Sequence, residues 1–232
     1  FVHKTFQEYL CAQEIKYRAD EEYDLELILT PIREHLHDAH WEEVLLLLIA
    51  QQPKGRVAKI IQQILDHPTP YEQWLHRNLF FAADCLAENI KLAEPSLVDQ
   101  ILSRLVEFIA SDSPLISSQF QRRAEKCLMN LGETDFQDTA IKQLELQQKK
   151  LNPVQLQQVR FTLGEEDSAI TALVGLLQAD NSSVRSSAAE ALGKLSQGRE
   201  AVVQALLNLL QDDDISSVRS RAAMALGKLG QG

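Results

Sequence analysis

Cysteine is scarce in this chain of 232 residues, and its three copies form no Cys-x-x-Cys pair. Cys11, Cys85 and Cys127 are too few and too widely spaced for a disulfide framework, which favours a reducing compartment and predicts a cytoplasmic protein. Long apolar runs are also missing. The longest, residues 44–50, is far shorter than the roughly 20 residues that a helix needs to span a bilayer. We therefore expect no membrane partner.

An excess of positive charge is absent too, since the formal net charge is −10. This balance argues against a general nucleic-acid binder. None of the nine glycines lies in a GxxxxGK[ST], GxSxG or GxGxxG motif, and no catalytic group is assembled in the sequence. We expect a chain that is not itself an enzyme and holds no cofactor. Because the first residue is Phe1 and not Met, we expect it to be a piece of a longer protein.

What the sequence does contain is an internal repeat. Residues 182–195, SSVRSSAAEALGKL, return 34 residues later as 216–229, SSVRSRAAMALGKL. The two copies differ only at Ser187/Arg221 and Glu190/Met224. Self-similarity at this period predicts a repeat architecture, because one such unit cannot bury its own apolar face and a stack of units can.

Each copy of the repeat carries an alanine-rich stripe at helical spacing, made in the first copy by Val184, Ala188, Ala191, Leu192 and Leu195. Gly193 and Gly227 each cost about 1 kcal/mol against alanine in an isolated helix, so we expect them at a helix crossing or near a helix end. Ser182 and Ser183 are the predicted N-caps of the first copy.

The same two-helix unit recurs, less regularly, through the chain from Pro53 onward, and no stretch alternates as a strand does. First helices are predicted around Ile60, Leu102, Ile141, Leu173 and Leu206, where the last stripe is Val203, Leu206, Leu207 and Leu210. Second helices are predicted around Ala82, Ala124, Leu156, Ala188 and Ala222. The fold class is therefore all-α, with five helix pairs.

The repeated pattern, Asp-x-x-x-Val-Arg followed by A-A-x-A-L-G-K-L, resembles the HEAT-like repeats of phycobilisome lyases and of many bacterial regulatory proteins. The resemblance implies an α-solenoid in which the Asp and Arg side chains are structural and link successive repeats. The residues that match those positions are Asp180, Arg185, Asp214 and Arg219. The earlier units depart from the pattern, with Gln121 and Pro153 in the place of the arginine.

The N-terminal stretch, FVHKTFQEYLCA, is similar to the F-x-H-x-[ST]-F-Q-E-[YF]-x-A-A motif that ends the winged-helix switch module of NACHT-type (STAND) NTPases. Residues 35–44 resemble the segment that bacterial members carry between that motif and a repeat array. The resemblance implies that His3 contacts the β-phosphate of ADP in a parent protein that binds ADP or ATP with Mg²⁺. It also implies that Phe6, Tyr9 and Leu10 anchor the helix in the apolar core of that module.

Together these patterns predict three segments: 1–52, a helical remnant of the switch module; 53–163, irregular HEAT-like repeats; and 164–232, regular repeats of the lyase type. The predicted function is a non-catalytic sensor or autoinhibitory arm of a NACHT-type signal-transduction NTPase. Its expected partners are another protein or the upstream NTPase module, with oligomerisation possible on activation. The alternative is a lyase-like repeat protein that handles a bilin chromophore, which leaves the N-terminal motif unexplained.

Other candidate residues favour plain structural roles. A histidine-rich stretch lacks the HExxH pattern of zinc sites, so a solvated helix end is predicted instead of a metal site for Glu34, His35, His37, Asp38 and His40. Cys85 and Cys127 stand where the later units have alanine, which predicts small core side chains. Acidic residues accompany the basic ones of the last two second helices, so no DNA-binding face is predicted there. These basic residues are Arg185, Lys194, Arg219, Arg221 and Lys228. Pro31 is expected to divide residues 25–36 into two short pieces, and the acidic run 20–26 to be a solvated connector.

Overall fold

The computed structural model describes residues 4–111, 116–196 and 199–230, which form helices and no strand. The α-helices in this part of the chain are α1 (Lys4–Glu21), α2 (Glu26–His35), α3 (Glu42–Ala50), α4 (Lys54–Leu65), α5 (Glu72–Leu75), α6 (Arg77–Ala87), α7 (Pro95–Ile109), α8 (Ser118–Met129), α9 (Gln137–Gln147), α10 (Pro153–Thr162), α11 (Glu166–Leu176), α12 (Ser182–Leu195), α13 (Glu200–Asp212) and α14 (Ser216–Leu229). A 3₁₀ turn, Gln148–Lys150, precedes α10. The prediction of an all-α fold is confirmed.

The chain divides into two compact units, Phe1–Gln143 and Leu144–Gly232. The predicted segment boundaries after residues 52 and 163 stay predictions. In the first unit α1 packs on α2 and α3, and its buried side chains are Ala12 and Ala19. Further along, α6 lies beside α8 and α4 beside α7, while α7 packs on α8. Second helices therefore stack on second helices, as the repeat pattern predicts.

In the second unit the second helices lie in the order α10, α12, α14, and α11 and α13 pack on α12 and α14 respectively. One apolar cluster runs through the unit, built largely from leucine, valine and alanine. The buried residues of α13 are Val202, Leu206 and Leu209. Of the four predicted stripe residues, Leu206 is buried and Leu210 is partly buried against the apolar cluster, whereas the buried valine is Val202 and not Val203, and Leu209 is buried as well. The apolar residues of α13 come in adjacent pairs (Val202/Val203, Leu206/Leu207, Leu209/Leu210), so spacing alone cannot choose between the two stripes.

Pro31 does not break the chain into two pieces, which corrects the sequence-based expectation. It lies inside α2, a continuous helix from Glu26 to His35. A proline in a helix interior costs about 3 kcal/mol, because it removes one backbone hydrogen bond and crowds the preceding turn. Burial of Ile28, Leu29 and Ile32 on one face of α2 offsets that cost.

The acidic run also differs from its expected role as a solvated connector, because its first residues complete α1. The Asp20 carboxylate accepts a hydrogen bond from Lys16 Nζ at 2.6 Å and another from the Arg56 guanidinium of α4. These two bonds, with that of Lys16 the stronger influence, lower the pKa of Asp20. Asp20 therefore links α1 to α4.

None of the helices in the described ranges is long and apolar enough to cross a lipid bilayer.

Candidate functional site

The joint between the last two repeats is built around a nearly buried ion pair. Arg185 Nε lies 2.6 Å from Asp213 Oδ2 and its Nη2 lies 3.2 Å from Oδ1, so the guanidinium binds both carboxylate oxygens. The Arg185 side chain is 14% exposed and that of Asp213 only 3%. Nη1 of Arg185 also donates to the carbonyl oxygens of Ala179 and Asp180, at 2.9 and 3.0 Å. One side chain thus connects α12 to the loop after α11 and to the end of α13.

The residue that accepts this arginine was not among the predicted ones. Asp180 contributes its backbone carbonyl, and the 88% exposed Asp214 carboxylate lies at 3.8 Å from Arg185. Asp213 follows α13 directly and also accepts the backbone N–H of Ile215 at 2.9 Å. The sequence has three consecutive aspartates, 212–214, and their order alone does not indicate which one pairs with Arg185. The backbone geometry at the end of α13 directs the carboxylate of the middle one toward α12. The hydrogen bond from Arg185 lowers the pKa of Asp213.

Arg219 repeats the backbone half of this arrangement. Its Nη1 donates to the carbonyl oxygens of Asp213 and Asp214, at 2.8 and 3.1 Å, each 34 residues after the acceptors of Arg185. No carboxylate of the described residues lies within ion-pair distance of Arg219. The general role that the resemblance implies for Asp180, Arg185, Asp214 and Arg219 across the repeats stays a prediction.

The helices α12 and α14 lie very close together at Gly193. A Cβ atom placed there meets Cα and Cβ of Ala225 at 2.8 Å, which is closer than side chains pack. The expectation of a helix crossing or a helix end is confirmed for both glycines: Gly193 lies at a crossing, and Gly227, with nothing within 4 Å of the same test position, lies two residues before the end of α14. Beside the crossing, Arg221 Nη1 lies 3.1 Å from Glu190 Oε2.

The last two repeats also differ in the N-terminal capping of their second helices. The N-cap of α12 is Asn181, whose side chain accepts the N–H of Ser183 at 2.8 Å, so the expectation of Ser182 or Ser183 was wrong. Ile215 stands at this position before α14 and offers no side-chain cap.

A second feature is an exposed apolar stripe on α1, formed by Phe6, Tyr9, Leu10 and Tyr17. Their exposed fractions are 52%, 43%, 48% and 61%. Phe6, Leu10 and Tyr17 share one helical face, and Tyr9 lies between that face and the side of the buried Ala12 and Ala19. The helix packs on α2 and α3. Phe6, Tyr9 and Leu10 therefore do not anchor α1 in a core of the described chain. Their expected anchoring in the core of a switch module stays a prediction. Spacing had not singled out Tyr17.

His3 lies outside the described residues. Its predicted contact with the β-phosphate of ADP stays a prediction.

The histidine-rich stretch contains one well-connected residue, His37, and this was not expected of a solvated helix end. Its Nε2 lies 2.9 Å from Asn78 Oδ1 and 3.1 Å from Thr69 Oγ1. Burial lowers the pKa of His37, which favours the neutral ring. His35 stacks on Trp41 with ring centroids 4.1 Å apart. Within the described ranges no group of three or more His, Cys, Asp or Glu residues could hold a metal ion.

Cys85 and Cys127 are both buried, as predicted for core positions. The Cys127 thiol lies 3.6 Å from Asp84 Oδ1. Burial, together with that carboxylate, raises the pKa of Cys127 to about 12. Because the thiolate is the reactive form, Cys127 is not suited to act as a nucleophile near neutral pH.

A cavity of about 300 Å³ in the first unit lies between the loop after α2 and the helices α6 and α8. Its aromatic lining includes Phe80 and Phe120, and Arg77 and Arg123 face the same space as Asp38 and Glu42. With both signs of charge present, the lining favours neither an anion nor a cation.

The described residues thus form an all-α repeat protein. Its two most distinctive features are the joint between α12 and α14 and the exposed apolar stripe of α1. Comparison with known families gives the class of these repeats: residues 136–227 match the family of HEAT repeats. The match covers less than half of the chain, and no curated protein matches it.

Three solved structures of engineered proteins from the Northeast Structural Genomics Consortium are similar in part. The first is 22% identical, covers 88% of this chain and 99% of its own, and has a TM-score of 0.33. The second is 17% identical and covers 100% and 66%, with a TM-score of 0.31. The third is 17% identical and covers 99% and 92%, with a TM-score of 0.30. Scores this low do not establish a shared fold.

Proposed function

We propose that the chain is the non-catalytic sensor or autoinhibitory arm of a NACHT-type signal-transduction NTPase. HEAT repeats are typical of protein-interaction scaffolds, and the match at 136–227 supports this general role. In the proposed arrangement α1 docks on the nucleotide-binding part of the parent protein, and the repeats bind a protein partner. The parent NTPase would exist in a closed, ADP-bound state and an open state. Partner binding shifts the equilibrium between these two states only to the extent that the partner binds one of them more tightly.

The observation that carries this proposal is the apolar stripe of α1. Phe6, Leu10 and Tyr17 are each close to half exposed or more, on a helix whose fully buried side chains, Ala12 and Ala19, are both small. Clustered apolar side chains on a surface are typical of an interaction site, since leaving them in water forgoes the free energy of burial. Three of the four stripe residues, Phe6, Tyr9 and Leu10, lie in the stretch 1–12, whose sequence resembles the end of the switch module.

A direct test is the coding sequence upstream of Phe1. The proposal expects a GxxxxGK[ST] phosphate-binding loop there. A start codon within a few residues of Phe1 would contradict it.

A functional test uses the parent protein loaded with ADP. Phe6→Ala and Leu10→Ala are expected to speed ADP release and raise basal activity, because the closed state loses apolar contacts. Tyr23→Ala is the matched control, since Tyr23 is 91% exposed and lies beyond the end of α1. Equal release from the stripe variants and the control would show that the stripe does not hold the switch.

His3→Ala tests the nucleotide contact in the same assay. A charge-assisted hydrogen bond to phosphate contributes about 1.5–3 kcal/mol, so losing it is expected to raise the open population roughly tenfold to a hundredfold. Unchanged ADP release would make His3 an ordinary surface residue.

The bilin-handling alternative is tested on the chain itself by titration with phycocyanobilin. We expect no saturable red shift in its absorbance. A shift would favour the alternative over the proposed arm.

A further inference from the structure

The cavity between the loop after α2 and the helices α6 and α8 combines apolar walls with charges of both signs. Phe80, Phe81 and Phe120 contribute aromatic side chains, and Leu36 and Leu75 contribute aliphatic ones. Its volume of about 300 Å³ is at the lower end of the range of small-molecule sites, about 300–1,000 Å³. Such sites combine apolar walls with a few polar groups that orient the ligand. Size and lining therefore fit a small ligand with an apolar part.

The two arginines that line this cavity differ in how their charge is used. Arg123 Nη2 lies 3.1 Å from Asp84 Oδ2, and its Cζ lies 5.1 Å from the centroid of the Phe80 ring. Arg77 Nη2 instead donates to the backbone carbonyl oxygen of His37, at 3.2 Å. This contact orients the guanidinium of Arg77, but a neutral carbonyl leaves its charge without a counterion.

The two carboxylates of the cavity come from the loop after α2 and the start of α3. Oδ1 of Asp38 already accepts the backbone N–H of His40 at 2.9 Å. Glu42 has no ion-pair partner among the described residues, and the same holds for Arg77. One unpaired charge of each sign thus lines the same cavity, and the two do not pair with each other. A simple anion or cation would leave one of them unpaired, whereas a zwitterion supplies a partner for both.

We propose that this cavity binds a free α-amino acid with a large apolar side chain. The ammonium group of the ligand pairs with Glu42, and its carboxylate pairs with Arg77, whose planar guanidinium suits a carboxylate. The apolar side chain packs on Phe80 and Phe120. The inference is independent of the proposed NTPase arm, because it concerns the chain by itself.

Isothermal titration calorimetry of the purified chain with L-phenylalanine and L-leucine tests the proposal. We expect saturable binding of at least one of them, with one molecule bound per chain. Glycine should bind at least about tenfold more weakly, because it has no side chain to bury. No saturable binding of either amino acid at millimolar concentrations would overturn the proposal.

Derivatives of the amino acid that binds test the need for both charges. The N-acetyl derivative lacks the positive charge and the amide lacks the negative one. Each should bind about tenfold to a hundredfold more weakly, because a charge-assisted hydrogen bond is lost. The N-acetyl amide mimics a residue within a protein chain and should bind more weakly still. If it bound as tightly as the free amino acid, the cavity would be a docking site for a protein side chain, and the proposal would be wrong.

Variants of the two unpaired residues locate the binding. Glu42→Gln and Arg77→Gln should each weaken binding of the free amino acid about tenfold or more. Glu42→Gln should leave the affinity for the N-acetyl derivative unchanged, and Arg77→Gln that for the amide, since the charge that each residue would bind is already missing. Both residues are exposed, so the variants should stay folded, which thermal melts check.

The matched controls are Glu43→Gln and Arg122→Gln, at exposed positions that do not line the cavity. We expect both to bind the amino acid as the unmodified chain does. Unchanged affinity in Glu42→Gln and Arg77→Gln would show that the amino acid binds elsewhere and would overturn the proposal.

Discussion

The helices α12 and α14 are identical at 12 of 14 positions, yet the protein treats them differently. Ala189 and Gly193 of α12 are buried, whereas their equivalents Ala223 and Gly227 in α14 are exposed. Both α12 and α14 pack on helices that precede them. Of these two, only α12 is also followed by another second helix within the described residues. The comparison shows that burial in a repeat protein is a property of the neighbours, since the same side chains are core in one copy and surface in the next.

The largest difference between the copies is expected at the leucine of the stripe. Leu192 is fully buried, and replacing it by alanine should cost about 2–5 kcal/mol, because the lost contacts leave a cavity. Leu226 is only partly buried, so Leu226→Ala should cost distinctly less. Urea denaturation of both variants measures the difference. Equal losses would mean that the two environments are energetically alike.

The glycines should respond to one substitution with opposite signs. Gly193→Ala places a methyl group 2.8 Å from the backbone of Ala225, and such overpacking costs about 1–3 kcal/mol. Gly227→Ala meets no neighbour and should gain up to about 1 kcal/mol from helix propensity. Thermal melts of the two variants should move in opposite directions. A stabilised Gly193→Ala would show that the crossing is looser than its geometry indicates.

The ion pair of the joint should make stability depend on pH in the acid range. The hydrogen bond from Arg185 lowers the pKa of Asp213 in the folded state. The stabilisation is therefore fully present above the unfolded value of about 3.9 and is lost as the pH falls through the lower, folded value.

Asp213→Asn should accordingly lower the urea midpoint near pH 7 and have progressively less effect as the pH falls below the unfolded pKa toward the lower, folded one, because the wild-type carboxylate then also becomes protonated. Asp212→Asn is the matched control, because Asp212 is the neighbouring residue and is exposed. The same comparison for the arginines should show a larger loss for Arg185→Ala than for Arg219→Ala. A pH-independent effect of Asp213→Asn would contradict the ion-pair account.

The smallest effect is expected at the second position where the copies differ. In α12, Glu190 lies 2.8 Å from Lys194 one turn later, whereas α14 has Met224 before Lys228. Met224→Glu should restore the pair and add about 0.2–0.5 kcal/mol, since Met224 is half exposed and loses little packing. Salt should reduce the gain. A clear loss of stability would indicate that Met224 is covered in the free chain.

Much of the architecture was predictable from local patterns. Apolar residues three or four positions apart fall on one face of a helix, so a short stretch of sequence is enough to predict it. This spacing correctly predicted α6, α8, α10, α12 and α14, around Ala82, Ala124, Leu156, Ala188 and Ala222. The stripe of α13 was predicted only in part, since its apolar residues come in adjacent pairs such as Val202/Val203 and spacing does not choose between the members of a pair. Pro31 was predicted to break a helix that tertiary burial keeps intact.

The candidate surfaces were less predictable. The pattern pointed to Asp180 and Asp214, but the carboxylate that receives Arg185 belongs to Asp213. Phe6, Tyr9 and Leu10 of the apolar stripe of α1 were singled out from the sequence, but their exposure was not predictable. Periodicity indicates which residues share a helical face and does not indicate what packs against that face.

By itself, the sequence determined the all-α class, the 34-residue spacing of the last repeats and the alanine-rich faces that let second helices meet, because these follow from local propensity and spacing. Only the tertiary structure decided which of two identical faces is core, which of three aspartates is paired and which glycine is a crossing. These outcomes depend on atoms contributed by a neighbouring helix, and a neighbour's position is not encoded in the residues that it covers.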